Sequence, residues 1–137
     1  MHKISIANNI ENLDKIAGFI EQFGEENNLG MKLTFELNLV LDELITNIIN
    51  YGFTDNKKHI IEITIEIEAD TIKMLVIDDG QEFNPLEKQD TDVNVPLQEK
   101  AIGGLGIFFV KKKVDQLKYE RVENKNYLYL LKKINKD

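Results

Sequence analysis

Apolar residues recur along the chain with two different periods, and the switches between them mark out its elements. Ile4-Ser5-Ile6-Ala7 alternates like a short strand. From Asn9 to about Asn27, the residues Ile10, Leu13, Ile16, Ala17, Ile20 and Phe23 fall three or four apart. That spacing predicts a helix capped by Asn9 and stopped by Asn27-Asn28-Leu29-Gly30. A second helix is predicted from about Met31 to Tyr51, with Leu37, Leu41, Leu44, Ile45 and Ile48 facing inward and Gly52 ending it. The period then changes to two. Ile61, Ile63, Ile65 and Ile67 alternate with Glu62, Thr64, Glu66 and Glu68, as in a strand with one solvated face. Ala69-Asp70-Thr71 makes a turn into a more apolar strand, Ile72 to Ile77. Residues 79–103 hold both prolines, Pro85 and Pro96, and keep no period. Helical spacing returns from Gly104 to about Lys113 or Val114, and two strands joined at Glu123-Asn124-Lys125-Asn126 fill Leu117 to Ile134. The order β-α-α-β-β-loop-α-β-β predicts an α+β fold. It would be a two-layer α/β sandwich, with helices on one face of a mixed, mostly antiparallel sheet, forming a single domain over residues 1–137.

Composition narrows the function classes. With 42% hydrophobic and 30% charged residues, the chain reads as an ordinary globular domain. It has no cysteine, which removes disulfides, thiolate zinc sites and thiol nucleophiles. No signal-peptide core opens the chain and no apolar run reaches the ~20 residues that cross a bilayer, so no membrane association and a cytoplasmic location are expected. The formal net charge is −7, and Arg121 is the single arginine. That balance argues against direct nucleic-acid binding, because Lys111-Lys112-Lys113 shares its helix with an apolar side. His2 and His59 stand isolated in the sequence and read as incidental.

Three polar or glycine clusters remain. Glu43 and Asn47 are four apart on the second helix and share a face with Glu36 and Asn50. A carboxylate there can act as a general base, and an amide oxygen can join phosphates around magnesium. A solvated helix face would carry the same residue types. Asp78-Asp79-Gly80 closes the buried strand, so Asp78 can accept a hydrogen bond from an exocyclic amine while Gly80 lets a planar base approach. A simple turn has the same composition. Gly103-Gly104-Leu105-Gly106 opens the third helix, where backbone N–H groups and the helix dipole attract phosphate. It lacks the Lys-Ser/Thr ending of a P-loop, and tight loop packing is its alternative. Together the clusters describe a base acceptor, a metal ligand and a phosphate cradle, with a long loop placed as a lid.

In that order the clusters resemble the GHKL ATPases of the Bergerat fold, the superfamily of gyrase, histidine kinases and MutL. Within it, the chain is most similar to the bacterial anti-sigma-factor serine/threonine kinases, over about residues 10–134. The resemblance implies ATP and Mg2+ as cofactors, Glu43 as catalytic base and Asn47 as magnesium ligand. It implies that Asp78 binds the adenine amino group with Gly80 beside the ring, and that Phe83 and Lys100 are also cofactor-binding. It further implies Gly103, Gly104, Leu105 and Gly106 at the phosphates and an ATP lid at 87–103. Such kinases hold a sigma factor, phosphorylate a serine on a small antagonist protein, and are commonly homodimers. Two positions depart from the pattern: Glu82 stands where many relatives have a second glycine, and Lys100 is the nearby cation where the kinases often place an arginine. Lysine cannot reproduce a bidentate arginine contact. A catalytically silent, nucleotide-sensing partner-switch module is therefore the alternative function.

Overall fold

The computed structural model describes residues 1–87 and 104–134. Five strands form one sheet: β1 (His2–Ala7), β2 (Ile60–Glu68), β3 (Thr71–Asp78), β4 (Gln116–Val122) and β5 (Lys125–Lys133). Their spatial order is β1-β2-β3-β5-β4, and every neighbouring pair is antiparallel. Among the described residues, the helices α1 (Leu13–Glu26), α2 (Met31–Tyr51) and α3 (Gly104–Lys113) form the second layer of the α+β domain. None of the described helices is long and apolar enough to cross a membrane.

Alternation puts the helices on one face of the sheet. Ile61, Ile63 and Ile65 of β2, Ile72, Met74 and Val76 of β3, and Leu128 and Leu130 of β5 are all buried. They form one core with Leu37, Leu41, Leu44, Ile45 and Ile48 of α2 and with Ile107 and Val110 of α3. The intervening residues on the other face, such as Thr64, Leu75 and Tyr129, are half-buried. Helix α2 lies centrally, packed on both α1 and α3. This position lets one of its edges hold a polar site while its stripe of leucine and isoleucine anchors it.

The first helix begins later than its spacing predicts. Asn9 does cap, but the side chain accepts from the Glu11 N–H and starts a single 3₁₀ turn over Ile10–Asn12. The Asn12 side chain is drawn back to the Ala7 carbonyl at 3.1 Å, and Ile10 remains exposed. The β4–β5 hairpin is tighter than expected. Glu123 (φ 47°) and Asn124 (φ 66°) alone make the turn, and pairing resumes at Val122 opposite Lys125. Two successive left-handed residues suit the right-handed twist of a hairpin.

Candidate functional site

Helix α2 supplies the first part of the site. Asn47 is 3% exposed, and its Nδ2 donates to the Glu43 backbone carbonyl at 3.0 Å and to Oε1 of the Glu43 carboxylate at 2.9 Å. The one-turn spacing therefore becomes a direct contact. That carboxylate lies against the start of α3. A Cβ on Gly106 would stand 1.9 Å from Cδ of Glu43 and 2.2 Å from each carboxylate oxygen. Only a residue without a side chain leaves the carboxylate this place. Two turns earlier on α2, Glu36 meets Nζ of Lys113 at 3.4 Å, a second tie between α2 and α3. Asn50 is exposed. Gly104 is the first residue of α3, followed by Leu105. Gly103 and Lys100 lie outside the described residues, as does all of the expected lid except Glu87.

The end of β3 supplies the second part. Asp78 is 4% exposed, and its Oδ1 accepts from the Gly80 N–H and from Nδ2 of Asn126, both at 2.9 Å. Burial pushes the Asp78 carboxyl above the usual range and Asp79 adds to this, while the Asn126 and Gly80 bonds and the Arg121 charge pull it down. Asn126 sits directly opposite Asp78 in the β3–β5 register. Its Nδ2 also donates to the Gln81 carbonyl at 2.8 Å, and its Oδ1 accepts from the Tyr119 hydroxyl and, at 3.1 Å, from Nη1 of Arg121. The same Arg121 nitrogen donates to the Gly80 carbonyl at 2.7 Å. None of Asn126, Arg121 and Tyr119 is marked out by a sequence motif. Their signal is the register, which places Asn126 opposite Asp78 on one side and Arg121 on the other.

The two parts are joined through the end of α2. The Gln81 N–H donates to the Gly52 carbonyl and Nε2 of Gln81 donates to the Tyr51 carbonyl, each at 2.8 Å. Gly80 packs on the same carbonyl so closely that a Cβ there would stand 2.2 Å from the Gly52 oxygen. Phe83 is half-buried beside the Tyr51 ring, with centroids 5.9 Å apart. These contacts tie the end of α2, the helix that carries Glu43, to the turn that follows Asp78.

His59, isolated in the sequence, is not isolated in space. Its Nε2 lies 2.7 Å from Oδ1 of Asp55 and its Nδ1 lies 3.0 Å from Oδ1 of Asp79, and the ring stacks on Phe53 at 4.7 Å. Carboxylates on both nitrogens favour the imidazolium, so the His59 pKa is raised, chiefly by Asp55 and against the effect of burial. A histidine pKa raised on folding stabilises fully below its ordinary value of 6.5 and loses that contribution as pH climbs through the raised value. The Asp55 carboxyl is lowered from 3.8, mainly by the His59 bond, so its share is lost as the solution is acidified through the lowered value. Denaturant melts of wild type and His59→Gln should separate between pH 3.8 and 6.5, where both groups are charged, and converge as pH climbs past the raised His59 value. Curves separated equally at every pH would rule the ion pairs out.

Among the described residues, two grooves lie away from Glu43, Asn47 and Asp78. One of about 560 Å3 separates α1 from the start of α2 and is lined by Gly24, Met31, Thr34 and Phe35, among others. The other, about 640 Å3, lies beside Asn8, Phe53 and Asp55. Neither includes Glu43, Asn47 or Asp78, so the case for the site rests on side-chain chemistry rather than on cavity size.

Comparison with known proteins yields a consistent set. The family model described as a histidine kinase-like ATPase domain matches residues 6–132. The serine-protein kinase RsbW of Oceanobacillus iheyensis is 32% identical over 88 residues, 61% of this chain and 55% of that protein. The serine/threonine-protein kinase BtrW of Bordetella bronchiseptica is 23% identical over 82% of this chain and 79% of its own length. The anti-sigma F factor of Clostridium novyi is 25% identical, with 86% and 80% covered. Among solved structures, the RsbU and RsbW domains of a Mycobacterium tuberculosis protein align with a TM-score of 0.64 and 9% identity, over 98% of this chain and 33% of that one. The histidine kinase domain of a blue-light activated kinase from Erythrobacter litoralis aligns at 0.56 and 15%, over 91% and 60%. The chain thus spans just over half the length of the RsbW relative and three fifths of that kinase domain. At these identities the structural likeness speaks for the fold.

Proposed function

Because this chain belongs to the histidine kinase-like ATPase domains, we propose that it is an ATP-dependent serine/threonine protein kinase of the anti-sigma type, which binds a regulatory protein and phosphorylates a small antagonist. The observation that carries the reading is the Glu43 carboxylate, held by the Asn47 amide and lying against Gly106 where α3 begins. A carboxylate fixed beside a helix N-terminus stands where phosphate would be drawn and can take a proton from a hydroxyl nucleophile. The names of RsbW, BtrW and the anti-sigma F factors support the same class. The proposal includes protein partners, a sigma factor or its antagonist, and a homodimer.

The residues present suit magnesium nucleotide. The Asn47 amide nitrogen donates to the Glu43 carbonyl and carboxylate, which turns the amide oxygen away from that carboxylate. Magnesium accepts a single amide oxygen when phosphates and water complete its octahedron, so the lack of a His, Asp and Glu cluster among the described residues is no obstacle. ATP supplies the phosphoryl group and magnesium neutralises its charge. Asn47 would hold the metal, Asp78 and Gly80 would receive the adenine, and the N–H groups at Gly104 and Gly106 would face the phosphates. Glu43 would take the serine proton as the new O–P bond forms and the bond to the ADP oxygen breaks.

One observation favours the second reading, a nucleotide-gated binding module without transfer. The only arginine, Arg121, is bonded at the base end to Gly80 and Asn126 and not directed toward Glu43. Incubating the protein with γ-labelled ATP, magnesium and a nucleotide-depleted host lysate separates the two. The kinase reading expects label on one small protein, lost in Glu43→Ala although that variant still binds ATP. ATP binding without label in the wild type would transfer the assignment to the module.

A further inference from the structure

We propose that Arg121 is a positioning residue for nucleotide recognition, holding the Asn126 amide and the Gly80 carbonyl so that Asp78 keeps one carboxylate oxygen turned to the base. The inference rests on the reading of Asp78 as the acceptor for the adenine amine.

Which way the Asn126 amide points decides the matter. Its NH2 faces two acceptors, Oδ1 of Asp78 at 2.9 Å and the Gln81 carbonyl at 2.8 Å. Its oxygen faces the Tyr119 hydroxyl and Nη1 of Arg121. A flipped amide would set oxygen against oxygen at both of the first two contacts. The Tyr119 hydroxyl cannot prevent the flip, because it donates or accepts equally well. A guanidinium only donates, so Arg121 admits the amide oxygen alone. It therefore forces the NH2 toward Asp78. There, Oδ1 is already filled by two donors, Gly80 and Asn126, and an incoming amine is directed to Oδ2. Through Nη1 the arginine also spans two elements, since β4 carries it and the turn after β3 carries the Gly80 carbonyl.

The charge of Arg121 acts in the same direction. Around Asp78 stand Asp79, itself paired with His59; Glu62 and Lys125, which share a small cleft with Asp78 and Asp79; and Glu82 near Tyr119. Arg121 is the cation whose charge lowers the Asp78 pKa, opposing Asp79. Loss of that charge raises it further, so Asp78 protonates at a higher pH and ceases to be a pure acceptor.

The test is calorimetric titration of the full chain with ADP and magnesium from neutral to acidic pH, with thermal melts on the same samples. Arg121→Met should weaken ADP roughly tenfold at neutral pH, as expected for impairing the single hydrogen bond between the base amine and Asp78. Its affinity should also fall away at a higher pH than in wild type. Arg121→Lys should restore most of the affinity and the wild-type pH limb, because a single nitrogen makes both native bonds. Unchanged binding in Arg121→Met overturns the proposal. So does a pH-independent loss that lysine fails to rescue, which would assign Arg121 to the fold alone. Asp78→Asn run alongside separates the layers: if it binds ADP like wild type, the underlying reading of Asp78 fails as well.

Discussion

Asp78→Asn is expected to lose ATP binding by about a hundredfold or more while folding at least as stably as the wild type. The two effects share a cause. Asp78 is buried, and burial is the largest influence on its carboxyl, raising the pKa above 3.8. A carboxyl whose pKa rises on folding opposes folding wherever it is ionised, above its folded value. An asparagine has no charge to desolvate. Its amide oxygen can take the place of Oδ1 and keep the bonds from Gly80 and Asn126. The penalty disappears and the internal network survives. In the position of Oδ2, however, the asparagine presents an NH2. An adenine amine approaching it meets a donor where it needs an acceptor, and one of the two is left unsatisfied. Calorimetry with ATP should show the loss, and the melting temperature should be equal or higher. Tight ATP binding in this variant would remove Asp78 from the base pocket.

Much of this arrangement is legible in the sequence because it follows from periods. The alternation of Ile61, Ile63 and Ile65 fixes which face of β2 is buried, and the four-residue step from Glu43 to Asn47 fixes their contact on α2. What escapes depends on register and on single side-chain bonds. Placing the hairpin turn at Glu123 to Asn126 leaves Asn126 in a loop. The actual two-residue turn puts it inside β5, opposite Arg121 and Asp78. A shift of two residues at one boundary thus separates a spacer from the residue that holds Asp78. The start of α1 escapes for a similar reason. Ile10 fits the helical period, but Asn9 and Asn12 bond locally and hold that stretch as a 3₁₀ turn. His59 looks solitary because its partners, Asp55 and Asp79, come together only when the loop after α2 meets the end of β3.

The sequence suggests the glycine cluster as a phosphate cradle; the structure sets Gly106 against the Glu43 carboxylate, and this contact underlies the other large expected effect. Gly106→Ala is expected to abolish most phosphotransfer without unfolding the protein. The added methyl would lie 1.9 Å from Cδ of Glu43, a separation no pair of non-bonded carbons can hold. The carboxylate ends a flexible side chain, so it swings aside and the backbone of α2 stays in place. Alanine inside a helix is favoured over glycine by roughly 1 kcal/mol, so the melting temperature should hold or rise. The carboxylate, however, leaves the Asn47 amide that orients it at 2.9 Å. Moving a general base by about 1 Å can lower a rate on the order of a hundredfold, and removing it lowers the rate by about 10² to 10⁴. The double variant Glu43→Ala/Gly106→Ala identifies the route. If Gly106 acts by seating Glu43, the double variant should be no slower than Glu43→Ala alone, because two changes to one interaction do not add. If it is slower by the full product of the single effects, the methyl is instead obstructing the phosphates, and the role of Gly106 is confined to the cradle.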